Sequence, residues 1–187
     1  MPSAINKTHV KIPYTVTTTA SSVVQLCTLS FDGSYSNSLS ANSDVLADLY
    51  RLYRYFRVRK ARMDVRAGSA FTVPEGEAVL AFIASETAPS NLTDVETDRL
   101  KPLVLHHDGN QANNFVAVND FTQATEWKLT DSTTTSDEIM NYGTFYMVSD
   151  ISEPFTTSQK FLVILDIEIE FKVLTDSETY MKLMEAK

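Results

Sequence analysis

The 187-residue chain has one cysteine, three histidines and five glycines, and each scarcity removes a class of protein. A lone cysteine, Cys27, closes no internal disulfide and completes no zinc pattern, so folding needs neither an oxidising compartment nor a structural metal, and an intracellular origin is expected. No segment approaches the run of about 18 apolar residues that spans a bilayer. The opening MPSAINKTHVKIPYTV has no apolar stretch of the kind a signal peptide carries. Neither a membrane span nor secretion is therefore expected, and the sequons Asn6-Lys7-Thr8 and Asn91-Leu92-Thr93 read as chance matches. Catalytic signatures are missing as well: there is no G-x-S-x-G, no H-E-x-x-H, no phosphate-binding loop and no dinucleotide-binding glycine pattern. The adjacent pair His106-His107 would point to opposite faces of a strand, which makes it a poor two-ligand metal set. No enzyme is expected.

What the chain does have is enough apolar sequence for one core. With 43% hydrophobic and 21% charged residues it is globular in composition, and its length fits a single domain over 1–187 with short terminal extensions at about 1–9 and 176–187. His9 to Thr19 and Ser22 to Phe31 are rich in Val, Thr and Ile and read as two strands, followed by a polar stretch, Asp32 to Ser43, with loop composition. Asn42-Ser43-Asp44 offers helix caps, and Leu46, Leu49, Tyr50 and Tyr53 form one stripe at helical spacing. Ala78 to Ala84 (AVLAFIA) is an apolar run too short for a typical buried helix and reads as a central strand. Pro89 to Lys101 has room for one helical turn capped at Ser90 or Thr93. Extended segments follow at Leu103–His106, Phe115–Val118, Thr125–Thr130, Gly143–Ser149 and Phe161–Leu174, and the tail from Asp176 has helical composition. No internal repeat and no linker divides the chain.

The segment LADLYRLYRYFRVRKARMDV, Leu46 to Val65, holds six of the 16 Lys and Arg in a chain of net charge −8. After Tyr53 the period changes from helical to alternating, with Ala61, Met63 and Val65 set against Lys60, Arg62, Asp64 and Arg66. In the preceding half Phe56 and Val58 are the apolar positions, so a bulge near Arg59-Lys60 is needed to keep one apolar face throughout. In Phe161 to Leu174 the residues Val163, Leu165, Ile167, Ile169 and Phe171 share one face, and Asp166, Glu168 and Glu170 share the other. Trp127 with Tyr50, Tyr53, Tyr55 and Phe56 reads as core or interface packing in preference to a stacking platform for bases or sugars.

Many β segments without βαβ alternation lead to an antiparallel sandwich or jelly roll. Here LADLYRLYRYFRVRKARMDVRAG resembles the coat proteins of small icosahedral positive-strand RNA viruses, in which a short helix leads through a Tyr/Arg junction into the fourth jelly-roll strand. GEAVLAFIASETAPSNLTD, GTFYMVSD and FLVILDIEIEFKVL are similar to that fold's next strand and helical connection, its penultimate strand and its long last strand. The likeness spans about residues 10 to 174 and takes in the tombus-like, sobemo-like and tymovirus-like coat proteins. It implies an all-β, eight-stranded antiparallel jelly-roll sandwich with one or two short helices in the connections. It also implies a homo-oligomeric icosahedral shell around a genome, located in the virion and assembled in the host cytoplasm. Residues 1–40 carry only Lys7 and Lys11 as firm cations, unlike the Arg-rich arm of many tombus-like and sobemo-like proteins, and are closer to the armless tymovirus-like ones. A non-viral jelly-roll binding module, lectin-like, is the alternative function. A cupin-type enzyme is not, because its H-x-H pattern is absent.

The resemblance makes the strand beginning near Tyr55 a neighbour of the last strand, so Lys60, Arg62 and Arg66 are expected to face Asp166, Glu168 and Glu170 across the sheet. The wider basic cluster, Arg57, Arg59, Lys60, Arg62 and Arg66, keeps two other readings: contact with genomic RNA, and contact with another subunit. Related shells often hold calcium between subunits, which makes Asp131, Asp137, Glu138, Asp166, Glu168 and Glu170 candidate ligands. Same-face positions on one strand are about 6.5 to 7 Å apart, whereas oxygens sharing one Ca²⁺ are within about 5 Å, so the strand alone does not make such a site.

Overall fold

The computed structural model describes residues 5–33, 35–67, 78–84, 88–90, 95, 105–106, 114–121, 126–130, 141–149, 155 and 160–174. Nine strands and two helices follow one another: β1 (Asn6–Thr17), β2 (Val23–Thr28), α1 (Leu39–Asn42), α2 (Asp44–Leu52), β3 (Tyr53–Ala67), β4 (Ala78–Ile83), β5 (Leu105–His106), β6 (Asn114–Asp120), β7 (Lys128–Leu129), β8 (Thr144–Ser149) and β9 (Lys160–Leu174). They form two antiparallel sheets, β1-β9-β3-β6 and β2-β8-β4-β5, with β7 also on β3. β6 pairs with Lys60–Arg66 and β7 with Tyr55–Phe56, so the two share one edge of β3 and act as one interrupted strand. That gives four strands in each layer. The chain changes sheets at every step except between β4 and β5 and between β6 and β7, and it closes by pairing its first strand with its last. This is the jelly-roll sandwich that the β-rich sequence led to.

Several boundaries differ from those read in the sequence. β1 starts at Asn6, inside the stretch assigned to a terminal extension, because its alternation of exposed and half-buried positions begins there. Leu39 is fully buried and opens α1 within the stretch read as loop, so one apolar residue anchors an otherwise polar segment. α2 matches its forecast: Ser43 accepts a hydrogen bond from the Leu46 amide, Leu46 is buried, and Leu49, Tyr50 and Tyr53 pack on the core. Tyr53, however, already belongs to β3. Val95 is helical and buried, in line with the turn expected around it. The tail after Leu174 lies outside the described residues.

Phe56, Phe145, Phe161, Phe171, Leu26, Met63 and Leu80 fill the space between the sheets, and rings of β3 and β9 meet Phe31 at 4.8 and 5.8 Å. Burying one such side chain contributes roughly 1.5–3 kcal/mol. The second sheet is covered on its other side too, where Val79, Ala81, Ile83, Tyr146, Val148 and Val95 make a separate cluster. This explains why every residue of β4 and β8 is buried and why their sequences do not alternate. Cys27 sits in the core, and burial pushes its thiol up to about 12, so it is protonated at neutral pH.

Gly143 enters β8 at φ 128°, where side chains are disfavoured, and its carbonyl accepts the Leu29 amide. A Cβ there would run into the Phe82 ring and come within 2.7 Å of the Ile83 carbonyl oxygen. Gly143→Ala is expected to cost about 1–3 kcal/mol from backbone strain, with the clash in addition. Thermal unfolding of the purified variant checks this, and an unchanged midpoint would contradict it.

Candidate functional site: a charge ladder on the outer face of the first sheet

The first sheet buries one face and turns the other outward. β9 lies between β1 and β3, and its outward positions Asp166, Glu168 and Glu170 form a column of carboxylates. Three like charges about 6.5–7 Å apart on a central strand repel unless their neighbours carry the opposite sign. The register supplies this on both sides: Lys7, His9 and Lys11 of β1 lie opposite Glu170, Glu168 and Asp166, and Arg57, Lys60 and Arg62 of β3 lie opposite the same three.

The bulge expected at Arg59-Lys60 is present, with the β3–β9 register shifting between Val58 and Lys60. The extra residue is Arg59, whose carbonyl accepts the Phe121 amide at 2.9 Å. Its insertion puts Arg57, Arg59 and Lys60 all on the outer side and returns Ala61, Met63 and Val65 to the core.

Glu170 is the centre of the ladder, with its side chain only 7% exposed. Its Oε2 accepts from Arg57 Nη2 at 2.6 Å and Nε at 3.1 Å, and from Arg59 Nε at 3.0 Å. Lys7 Nζ lies 3.5 Å from its Oε1. Burial alone would raise the Glu170 carboxyl, but hydrogen bonds and charge from Arg57 and Arg59 outweigh it and hold the group below the ordinary glutamate range. Asp166 takes His9 Nε2 at 2.5 Å and Lys11 Nζ at 3.8 Å.

Of the three cations expected to face the acidic column, Lys60 and Arg62 are in register with it and Arg66 is not. Arg62 lies opposite Asp166, while its Nε bonds Asp64 on its own strand at 3.0 Å. Arg66 lies opposite Leu162, beyond the acidic column, so it faces none of the three carboxylates. Lys60 is in register with Glu168, but among the described residues no carboxylate comes within 4 Å of Lys60, and no cation within 4 Å of Glu168. The β1 residues Lys7, His9 and Lys11 were absent from the sequence-named cluster. Their signal was their period-two placement.

A cleft of ≈ 500 Å³ opens over this end of the sheet, lined by Lys7, Thr8 and His9 of β1, Glu168, Ile169 and Glu170 of β9, and Arg59 of the bulge. Beside it, the Arg57 guanidinium and the Lys172 ammonium each lie 4.3 Å from the Trp127 ring centre. The aromatic residues grouped in the sequence separate here: Phe56 is fully buried, Tyr50 and Tyr53 pack on the core, and Tyr55 meets Arg54 and Lys172. Among the described residues no three His, Cys, Asp or Glu side chains are grouped to hold a metal ion, and no helix is long and apolar enough to cross a membrane. Asp131, Asp137, Glu138 and His107 lie outside the described residues.

Glu170→Gln is expected to destabilise the protein by roughly 1.5–3 kcal/mol, the range for hydrogen bonds to charged groups, and Glu168→Gln by at most about 0.5 kcal/mol. Because the folded-state value of Glu170 is lowered, its stabilisation is full above the unfolded value near about 4.3 and is lost as pH falls through the folded one. Glu170→Gln should therefore flatten the acid limb of stability below about pH 4.5. Denaturant unfolding as a function of pH measures both effects; parallel acid limbs would rule out this role for Glu170.

No family model and no curated protein matches the sequence. Solved structures do match in fold. The Cocksfoot mottle virus chain superposes with a TM-score of 0.66 at 12% identity, covering 94% of this chain and 99% of that one. A chain of the semi-empty virus-like particle of Macrobrachium rosenbergii nodavirus gives 0.61 at 12% identity, covering 92% and 85%. Mud crab tombus-like virus gives 0.61 at 11% identity, covering 98% and 88%. The chain therefore carries the jelly-roll fold of the capsid proteins of small icosahedral RNA viruses.

Proposed function

We propose that this chain is a structural protein whose copies assemble into the icosahedral capsid of a small RNA virus. The observation that carries the proposal is the superposition on the Cocksfoot mottle virus chain, which covers 94% of this chain and 99% of that one. A jelly-roll shell subunit needs only a rigid wedge and interfaces of ordinary size, since repetition round a closed shell makes each contact count many times. Virion location and assembly in the host cytoplasm follow from the same proposal.

In this proposal the basic run serves the sheet first. Arg57 and Arg59 engage Glu170 and Arg62 engages Asp64, which supports a seam between strands at those positions. Among the described residues no carboxylate comes within 4 Å of Lys60 or Arg66, and the proposal assigns them to other partners, including the enclosed RNA and neighbouring subunits. Calcium between subunits is a further part of the proposal. Asp166 and Glu170 are already engaged by cations, so its ligands would come from Glu168, Asp131, Asp137 and Glu138.

Purified protein is expected to form closed isometric particles in negative-stain electron microscopy and to sediment far faster than a 20.9 kDa monomer. A strictly monomeric species at high concentration, across pH and salt, would end the proposal and favour a small binding module of the lectin kind. Chelating calcium at mildly alkaline pH is expected to swell or loosen the particles. Unchanged sedimentation under chelation would remove the calcium bridge and leave the shell proposal standing.

A further inference from the structure

The outer face of the first sheet changes character along its length. Beyond the row of Lys11, Asp166 and Arg62, the outward positions of β9 are Ile164, half-buried, and Leu162, 43% exposed. Pro13 of β1 lies opposite Ile164, and half-buried Val116 and Val118 stand on the same face of β6, so this end of the sheet carries an apolar patch. Arg62 and Asp64 cross it as an ion pair closed within one strand. The charges at its end are Arg66, opposite Leu162, and Lys160, two positions before it. Both are exposed, and among the described residues no carboxylate comes within 4 Å of either. An apolar surface with a rim of one charge is the pattern of a protein contact.

The complement lies on the same chain, at the other end of β3. Val45 of α2 is 57% exposed, more than any other large hydrophobic side chain among the described residues, and the exposed Asp44 and Asp48 share its side of the helix. Asp44 also suits the helix N-terminus, whereas Val45 has no such role within the subunit. α2 runs directly into β3, a strand of 15 residues, which puts roughly 40 Å between Tyr53 and Arg66. The helix itself is only about 14 Å long, too short to carry Val45 back to Leu162. Surfaces that match in shape class and oppose in charge can therefore meet only between copies.

We propose that the Val45 face of α2 in one copy docks on the Leu162 patch of a second copy, with Asp44 and Asp48 against Arg66 and Lys160. A contact between two unlike surfaces is heterologous, and it repeats from copy to copy into rings where the rotation closes. The proposal rests on the reading of this chain as a self-assembling subunit and names the surfaces that join.

The experiment places new cysteines in the full chain, whose own Cys27 is buried and does not compete. Val45→Cys and Leu162→Cys chains, mixed while dissociated and then concentrated under mild oxidation, should give a disulfide-linked dimer on a non-reducing gel, and neither chain should give one by itself. The double variant Val45→Cys/Leu162→Cys should give a ladder of oligomers that reduction collapses. Leu162→Ser and Arg66→Glu should each raise the concentration needed for association at least tenfold in sedimentation, with the thermal midpoint of the dissociated chain unchanged. Adding Asp48→Lys to Arg66→Glu should recover part of that loss. Absence of the mixed dimer, equally efficient linking of either single-cysteine chain to itself, or unaltered association of Leu162→Ser would overturn the proposal. Electron microscopy separates it from the shell reading. Closed particles without the mixed disulfide overturn this contact alone, and the mixed disulfide without closed particles upholds the contact while the shell reading fails.

Discussion

The first sheet depends on β9 being paired on both sides. Its backbone groups bond to β1 along one edge and to β3 along the other, so every side chain must serve either the core or the outward face. On the core side Phe161, Val163, Leu165, Ile167, Ile169 and Phe171 are all buried. On the outward side the acids force complementary choices on two strands that lie far away in sequence. Cations at Lys7 and Lys11 and at Arg57, Lys60 and Arg62 are consequences of a carboxylate column on the strand between them. A one-residue slip of β9 would exchange the two faces and put carboxylates into the core, which is how the pattern fixes register.

The two sheets divide the work differently. The second is apolar on both faces where β4 and β8 run, and its outer side is closed by a cluster that includes Val95. The first has one wet face, and the chain's strongly charged surface among the described residues is gathered there. In a shell built from such subunits, rigidity and chemistry come from different layers. The dry layer holds the wedge in shape, while the charged layer carries the ion pairs that join β1, β9 and β3.

Most of the layer order was legible because the periodicities are strong. Alternation in β3 and β9 is nearly unbroken, and the reversal between Val58 and Ala61 located the bulge without any structure. The apolar runs of β4 and β8 identified central strands but could not say that both faces were covered, since that depends on what packs from outside. Pairing partners were less legible. Periodicity assigns a face, whereas partnership depends on register and on rotamers, and long cations reach along a strand as readily as across it, as Arg62 does toward Asp64. Lys7, His9 and Lys11 carried the right period, yet their relevance emerges only once topology sets β1 against β9. Glu170 looked equivalent to Glu168 in the sequence. Only the bulge, which brings a second arginine to its side, makes it the hub.

The bulge also makes β3 a strand of two parities. Before Arg59 its core residues sit at even numbers, Phe56 and Val58; after it they sit at odd ones, Ala61, Met63 and Val65. Loss of that single residue would leave Phe56, Val58, Ala61, Met63 and Val65 in unbroken alternation and keep every β9 partner, so the strand does not need the extra residue in order to pair. What the extra residue adds is a second arginine beside Glu170, and the arginine whose backbone forms the bulge is the same one whose side chain reaches that carboxylate.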